Sequence, residues 1–182
     1  MRFNKIKQVN FAFVFCDRIF MVCYMKKIFP VILVAFSSLL LFGCPYESQV
    51  PVGKPEIPVD TRFVGNWRSD DESYNQYTVS IKSPVEYQIL QKNTGGVSKF
   101  TGFLSDVKNA MFMNLYSDST KSYYIYRVNF DAAGDKFTLM PVAQNLPEHF
   151  GSSEALRSYV EKHMNLQSFY DGAEKSDFYK AQ

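Results

Sequence analysis

The 182-residue chain is poor in the side chains that catalysis and metal binding most often use. Its three cysteines all fall within the first 44 residues, at Cys16, Cys23 and Cys44. Everything after residue 44 therefore lacks a thiol. Disulfides, thiolate metal sites and a cysteine nucleophile are excluded from that region. There are two histidines, His149 and His163. Their separation does not place them on one helix face at i, i+3 or i, i+4, so they do not form a helical metal pair. No Gly-x-Ser-x-Gly elbow occurs, and Gly95-Gly96 has no following helix to cradle a phosphate. The acidic run Asp70-Asp71-Glu72 lacks the spaced oxygen ligands and turn glycine of a calcium loop, and is expected to be a solvated turn. We expect no catalytic residue, metal or cofactor.

Positive charge is scarce in the main body. The formal net charge is +2, but Arg2, Lys5, Lys7, Arg18, Lys26 and Lys27 outweigh Asp17 at the N-terminus. From Cys44 onward, 14 basic residues face 17 acidic ones, a net charge of −3. No Lys/Arg-rich run appears. A mildly acidic chain of this kind has no footprint for displacing nucleic-acid counterions, so no nucleic-acid partner is expected.

What is present begins with an ordered leader. Met25-Lys26-Lys27 precedes an apolar run from Ile28 to Phe42, then Gly43 and Cys44, the three-part layout of a secretory signal. Ile28 to Gly43 is 16 residues, about 24 Å as a helix, which is short of the ~30 Å needed to span a bilayer permanently. Leu41, Gly43 and Cys44 resemble the lipidation signal of bacterial lipoproteins, although Phe42 is bulkier than the usual residue at its position. The resemblance implies cleavage between Gly43 and Cys44 and a diacylglycerol on the Cys44 thiol, often with a further chain on the new amine. One acyl chain anchors only marginally, so several chains are needed. The implied address is the cell envelope, with the protein held by acyl chains on Cys44. Pro45 is not the aspartate associated with inner-membrane retention, which extends the expectation to the outer membrane, facing the periplasm or the surface. Residues 1–24 are then a dispensable extension or an over-long reading frame, and residues 25–43 the signal peptide.

Pro45, Pro51, Pro55 and Pro58 are half of all eight prolines. With Gly53 they suggest an extended tether over residues 44–60, holding a domain of residues 61–182 tens of ångströms from the membrane at about 3.1 Å per residue.

From Thr61 the pattern has period two. Tyr77, Val79 and Ile81 alternate with polar residues, and so do Val85, Tyr87 and Ile89. Turns are expected at Asn93 to Gly96, Ser117 to Thr120 and Asp131 to Asp135. Extended runs are expected over 97–107, 111–116 and 122–130, then around Phe137 to Pro141, with a short last strand over 176–180. Six or seven strands at this spacing predict a mainly β fold, an antiparallel barrel or, alternatively, a β sandwich. One helix is expected after Gly151-Ser152-Ser153, with a serine cap and an apolar face of Ala155, Leu156, Tyr159, Val160 and Met164, packing on the sheet or closing a barrel end.

The sole tryptophan lies in Val64-Gly65-Asn66-Trp67. This Gly-x-Trp resembles the opening strand of lipocalin-like barrels, in which the indole closes one end and a cation from the last strand stacks on it. The resemblance implies a barrel-closing pair of Gly65 and Trp67, with Arg127 as the first choice for the cation and Lys180 the poorer substitute. Together with the lipid signal, it implies a small envelope lipoprotein with no defined reaction. In such a barrel Tyr124, Tyr126 and Val128 on one aromatic strand are the ligand-facing candidates. The expected partner is a small apolar molecule in the barrel or, if the interior is filled, another envelope protein.

Overall fold

A computed structural model describes residues 46–70, 76–143, 146, 149–172 and 175–181. Gly43 and Cys44, the rest of the leader, and Asp71 and Glu72 lie outside them. Among the described residues the strands are β1 (Glu47–Ser48), β2 (Gly65–Ser69), β3 (Gln76–Ser83), β4 (Glu86–Asn93), β5 (Gly96–Val107), β6 (Ala110–Ser117), β7 (Ser122–Phe130), β8 (Lys136–Pro141) and β9 (Ser176–Lys180). Each of β2 to β9 pairs antiparallel with the next, and β9 pairs with β2 through Trp67↔Lys180 and Ser69↔Phe178. The eight strands close an up-and-down barrel, which settles the choice against a sandwich.

Alternation decides which side chains enter it. Val79, Tyr87, Ile89, Leu104, Met113, Val128 and Phe137 gather inside with Trp67 and Phe178. Ile81 continues the sequence alternation and pairs in register with Tyr87 but is 52% exposed, and just beyond it the β3–β4 register shifts between Ile81 and Ser83. That irregularity carries the end of β3 off the pattern. The β5–β6 hairpin turns through Lys108 (φ 49°) and Asn109 (φ 67°), two successive left-handed residues of the kind that suit tightly twisted hairpins.

A second apolar layer covers the outside of β5, β6 and β7. The helix α1 (Ser153–His163) is capped by Ser152, whose side chain accepts from the Ala155 amide at 3.2 Å, and Glu154 complements the dipole in the first turn. Leu156 and Val160 are fully buried against Val107, Phe112, Ile125 and Val142. Each contributes about 1.5–3 kcal/mol by that burial. The helix thus packs on the barrel wall rather than across an end, and Ala155 stays exposed.

The proline-rich segment does not behave as a tether over its described residues. Among the described residues the packed chain starts at Tyr46, well before Thr61. Tyr46 is 6% exposed, Ser48 2% and Val52 fully buried, all against the outer layer. Val52 donates its amide to Asn114 Oδ1 at 2.8 Å, and Tyr46 donates to the Val142 carbonyl at 3.4 Å. Glu47 and Ser48 form β1 opposite Tyr124 and Tyr123. Ile57 and Val59 then reach the interior core, and the Val59 amide bonds the Pro84 carbonyl. Apolar residues between the prolines hold the segment to the barrel as a strap.

Candidate functional site

The barrel has one closed end and one open end. At the closed end the 3₁₀ turn Thr61–Phe63 places Phe63 beneath the interior, with its centroid 5.2 Å from Phe137 and 5.6 Å from Tyr87. Trp67 packs edge-on to Phe137 at 4.6 Å and donates its indole N–H to the Phe63 carbonyl at 2.8 Å. A buried indole needs that one acceptor, and the preceding turn supplies it. Gly65 has φ +134°, a conformation that only glycine adopts without strain, so the Gly-x-Trp pair has a local backbone reason.

The cation on the indole is Lys180, with Nζ 5.7 Å from the Trp67 ring centroid. This corrects the preference for Arg127. Arg127 alternates with Tyr126 and Val128, which face inward, so its guanidinium lies on the outer wall, 5.8 Å over the Tyr170 ring, and donates to the Met164 carbonyl at 3.3 Å. Pairing of β9 with β2 sets Lys180 directly beside Trp67.

Above the aromatic floor is a cavity of about 870 Å³ that opens at the far end of the barrel. Its depth is lined by Trp67, Val79, Ile89, Met113, Leu115 and Phe178, and its upper part by Gln91, Lys99, Ser117, Asp118 and Glu47. The volume falls in the range of about 300–1,000 Å³ typical of small-molecule sites, which are mostly apolar with a few polar groups. Among the expected ligand-facing residues, Tyr124 and Tyr126 line the cavity. Val128 faces the same interior, 5% exposed, but packs in the core and does not line the space.

The mouth carries an ordered polar cluster. Tyr124 OH donates to Glu47 Oε1 and Ser122 Oγ to Glu47 Oε2, each at 3.0 Å. Burial, and the Glu47 carboxylate close by, hold the Tyr124 phenol above its ordinary pKa. On the opposite side Gln91 donates to Tyr77 OH at 3.0 Å. Glu47 is the site residue that sequence reasoning passed over, because it sits among prolines in the stretch assigned to a tether.

The histidines stand apart from this cavity. His163 stacks on Tyr159 at 4.0 Å at the helix end, with Nδ1 2.8 Å from the Tyr159 carbonyl oxygen, and His149 is exposed. Asp70 is tied to β9, accepting from the Asp177 amide at 2.9 Å.

Fold and site together define an eight-stranded antiparallel barrel with an aromatic floor, an apolar interior and a polar mouth. Comparison with protein-family models, with curated proteins and with solved structures finds no match to the chain.

Proposed function

We propose that this chain is a lipid-anchored cell-envelope protein that acts without catalysis and holds one small apolar ligand in its barrel. The observation that carries the binding half is the cavity of about 870 Å³, open at one end and lined by Tyr124, Tyr126 and apolar strand residues. A barrel that worked only through its surface would have no use for so large an interior space, since small barrels are readily filled by their own side chains. The address rests on Met25 to Cys44 and its resemblance to a lipoprotein signal, with the outer membrane as the proposed destination. An anchor there takes more than one acyl chain, as the Cys44 thiol and its freed amine together provide.

The experiment uses Trp67, the only tryptophan, which lies at the cavity floor. Full-length protein is produced in a bacterium with alkyne-palmitate labelling and then titrated with a brominated fatty acid. We expect label on the wild type and none on Cys44→Ser, together with saturable quenching of Trp67. A labelled protein whose tryptophan is never quenched, and whose native mass shows no bound lipid, would favour an interaction protein instead.

A further inference from the structure

We propose that the strap holds the barrel mouth at the surface of the anchoring bilayer, so that the cavity takes a single-chain amphiphile directly from that bilayer. The inference rests on the anchored, ligand-binding reading above.

Its starting point is chain length. Only Pro45 separates Cys44 from Tyr46, and Tyr46 is already packed into the outer layer. A free tether over residues 44–60 would extend to about 50 Å at ~3.1 Å per residue. With Tyr46 fixed, the free connection shrinks to two peptide links, at most about 7–8 Å between Cα atoms. The strap is firmly held: besides Tyr46, it buries Ser48 and Val52 and is fixed by the Val52 amide on Asn114 Oδ1.

The second observation is where the strap meets the barrel. Beyond the Tyr126↔Pro141 pair, β8 gives up its place along β7 and β1 takes it, with Glu47 opposite Tyr124. Glu47 thus lines the cavity mouth three residues from Cys44. Anchor and opening are therefore neighbours along the chain and in space, and acyl chains on Cys44 bring the opening to the lipid.

The rim is suited to that position. Val97, which also lines the mouth, is 66% exposed, and its partner across the β4–β5 hairpin is Lys92, with Lys99 two residues on. An apolar tip flanked by lysines can sit in the headgroup layer, where each lysine near an anionic surface adds about 1 kcal/mol. The cavity matches one tail with a headgroup: its depth is apolar, and Gln91, Lys99 and Glu47 at the mouth offer donors and acceptors to a polar end.

The test reconstitutes the lipidated protein in vesicles of phosphatidylcholine and phosphatidylglycerol, beside a variant with a 16-residue Gly/Ser insert between Pro45 and Tyr46. A polarity-sensitive dye on Val97→Cys reports the rim, and Trp67 quenching by a brominated lysophospholipid in the same vesicles reports loading. The expected result is a blue-shifted dye and fast quenching in the short form, with the shift lost and loading at least several-fold slower in the inserted form at unchanged Tm. Equal dye emission and equal loading rates in both forms would overturn the proposal while leaving ligand binding intact. Absence of quenching in both forms, even with excess probe, would overturn the binding reading itself.

Discussion

The Tyr87 hydroxyl holds both backbone groups of Asp60, accepting from its amide at 2.5 Å and donating to its carbonyl at 3.2 Å across 27 positions of sequence. Tyr87 is fully buried, and burial pushes its phenol up to about 12. Below pH 10 the phenol is protonated in both folded and unfolded chains, and the contribution is fully present. Between pH 10 and about 12 the unfolded chain releases the proton and the folded one keeps it, so stability falls by about 1.4 kcal/mol per pH unit from this group. Burial raises Tyr46, Tyr123, Tyr124 and Tyr170 as well, which steepens the same limb. Tyr87→Phe is expected to lower stability at pH 8 by about 1–3 kcal/mol, through the stranded Asp60 groups, and to flatten the alkaline limb. Urea titrations at pH 8, 10 and 11.5 check both effects, and an unchanged alkaline slope would contradict the assignment.

Trp67 and Gly65 contribute to the closed end by different means, and substitutions separate them. Trp67→Ala removes a fully buried ring and should cost about 3–5 kcal/mol. Gly65→Ala meets only ordinary van der Waals contact, the nearest atom being Lys180 Cε at 3.5 Å, so its cost comes from φ +134° alone, about 1–3 kcal/mol. Lys180→Met keeps most of the stem over the indole and should cost below about 1 kcal/mol. Thermal melts of the three variants should fall in that order.

Asn114 is the fastening of the strap. Fully buried on β6, it accepts from the Val52 amide and donates to Ser105 Oγ at 3.0 Å. Asn114→Ala leaves the Val52 N–H and Ser105 without these partners, for a loss of about 1–3 kcal/mol. Hydrogen exchange should register it locally, with residues 46–53 losing protection well before the barrel strands do. Uniform loss across the barrel would mean that the strap and the barrel open only together.

Cavity volume can be reduced without touching the shell. Leu115 and Ile89 line the space, so Ile89→Phe combined with Leu115→Phe adds bulk where there is room for it. Affinity for a brominated fatty acid should fall at least tenfold, with Tm within a few degrees of the parent. Leu90→Phe, on the outer side of the same strand and 36% exposed, should alter neither quantity.

The barrel was readable in sequence wherever one face of a strand meets water. Tyr77 and Val79, or Tyr87 and Ile89, announce themselves by alternation because their neighbours Thr78 and Gln88 are solvated. The helix was readable from Ser152 and the Leu156–Val160 spacing. Across Ala110 to Tyr116 the alternation fades, because Phe112 and Asn114 lie under the outer layer while Met113 and Leu115 face the interior. A strand that reads apolar on both sides signals a covering layer. Here that layer includes the strap, whose Tyr46, Val50 and Val52 are too widely set among prolines to form a period. Local rules register the prolines and miss what the segment lies against. The stacking lysine was obscured for a related reason: it depends on the pairing of β2 with β9, which no local pattern contains.

That same pairing joins Trp67 to Lys180 across most of the folded chain. Ring closure of this separation is an entropically costly, non-local step, so the meander from β2 to β8 can form as a curled open sheet before β9 arrives. Until it does, β2 and β8 each present an edge able to pair with another molecule. The short strand β9 therefore acts as a guard against edge pairing, separating a closed barrel from a sticky open sheet.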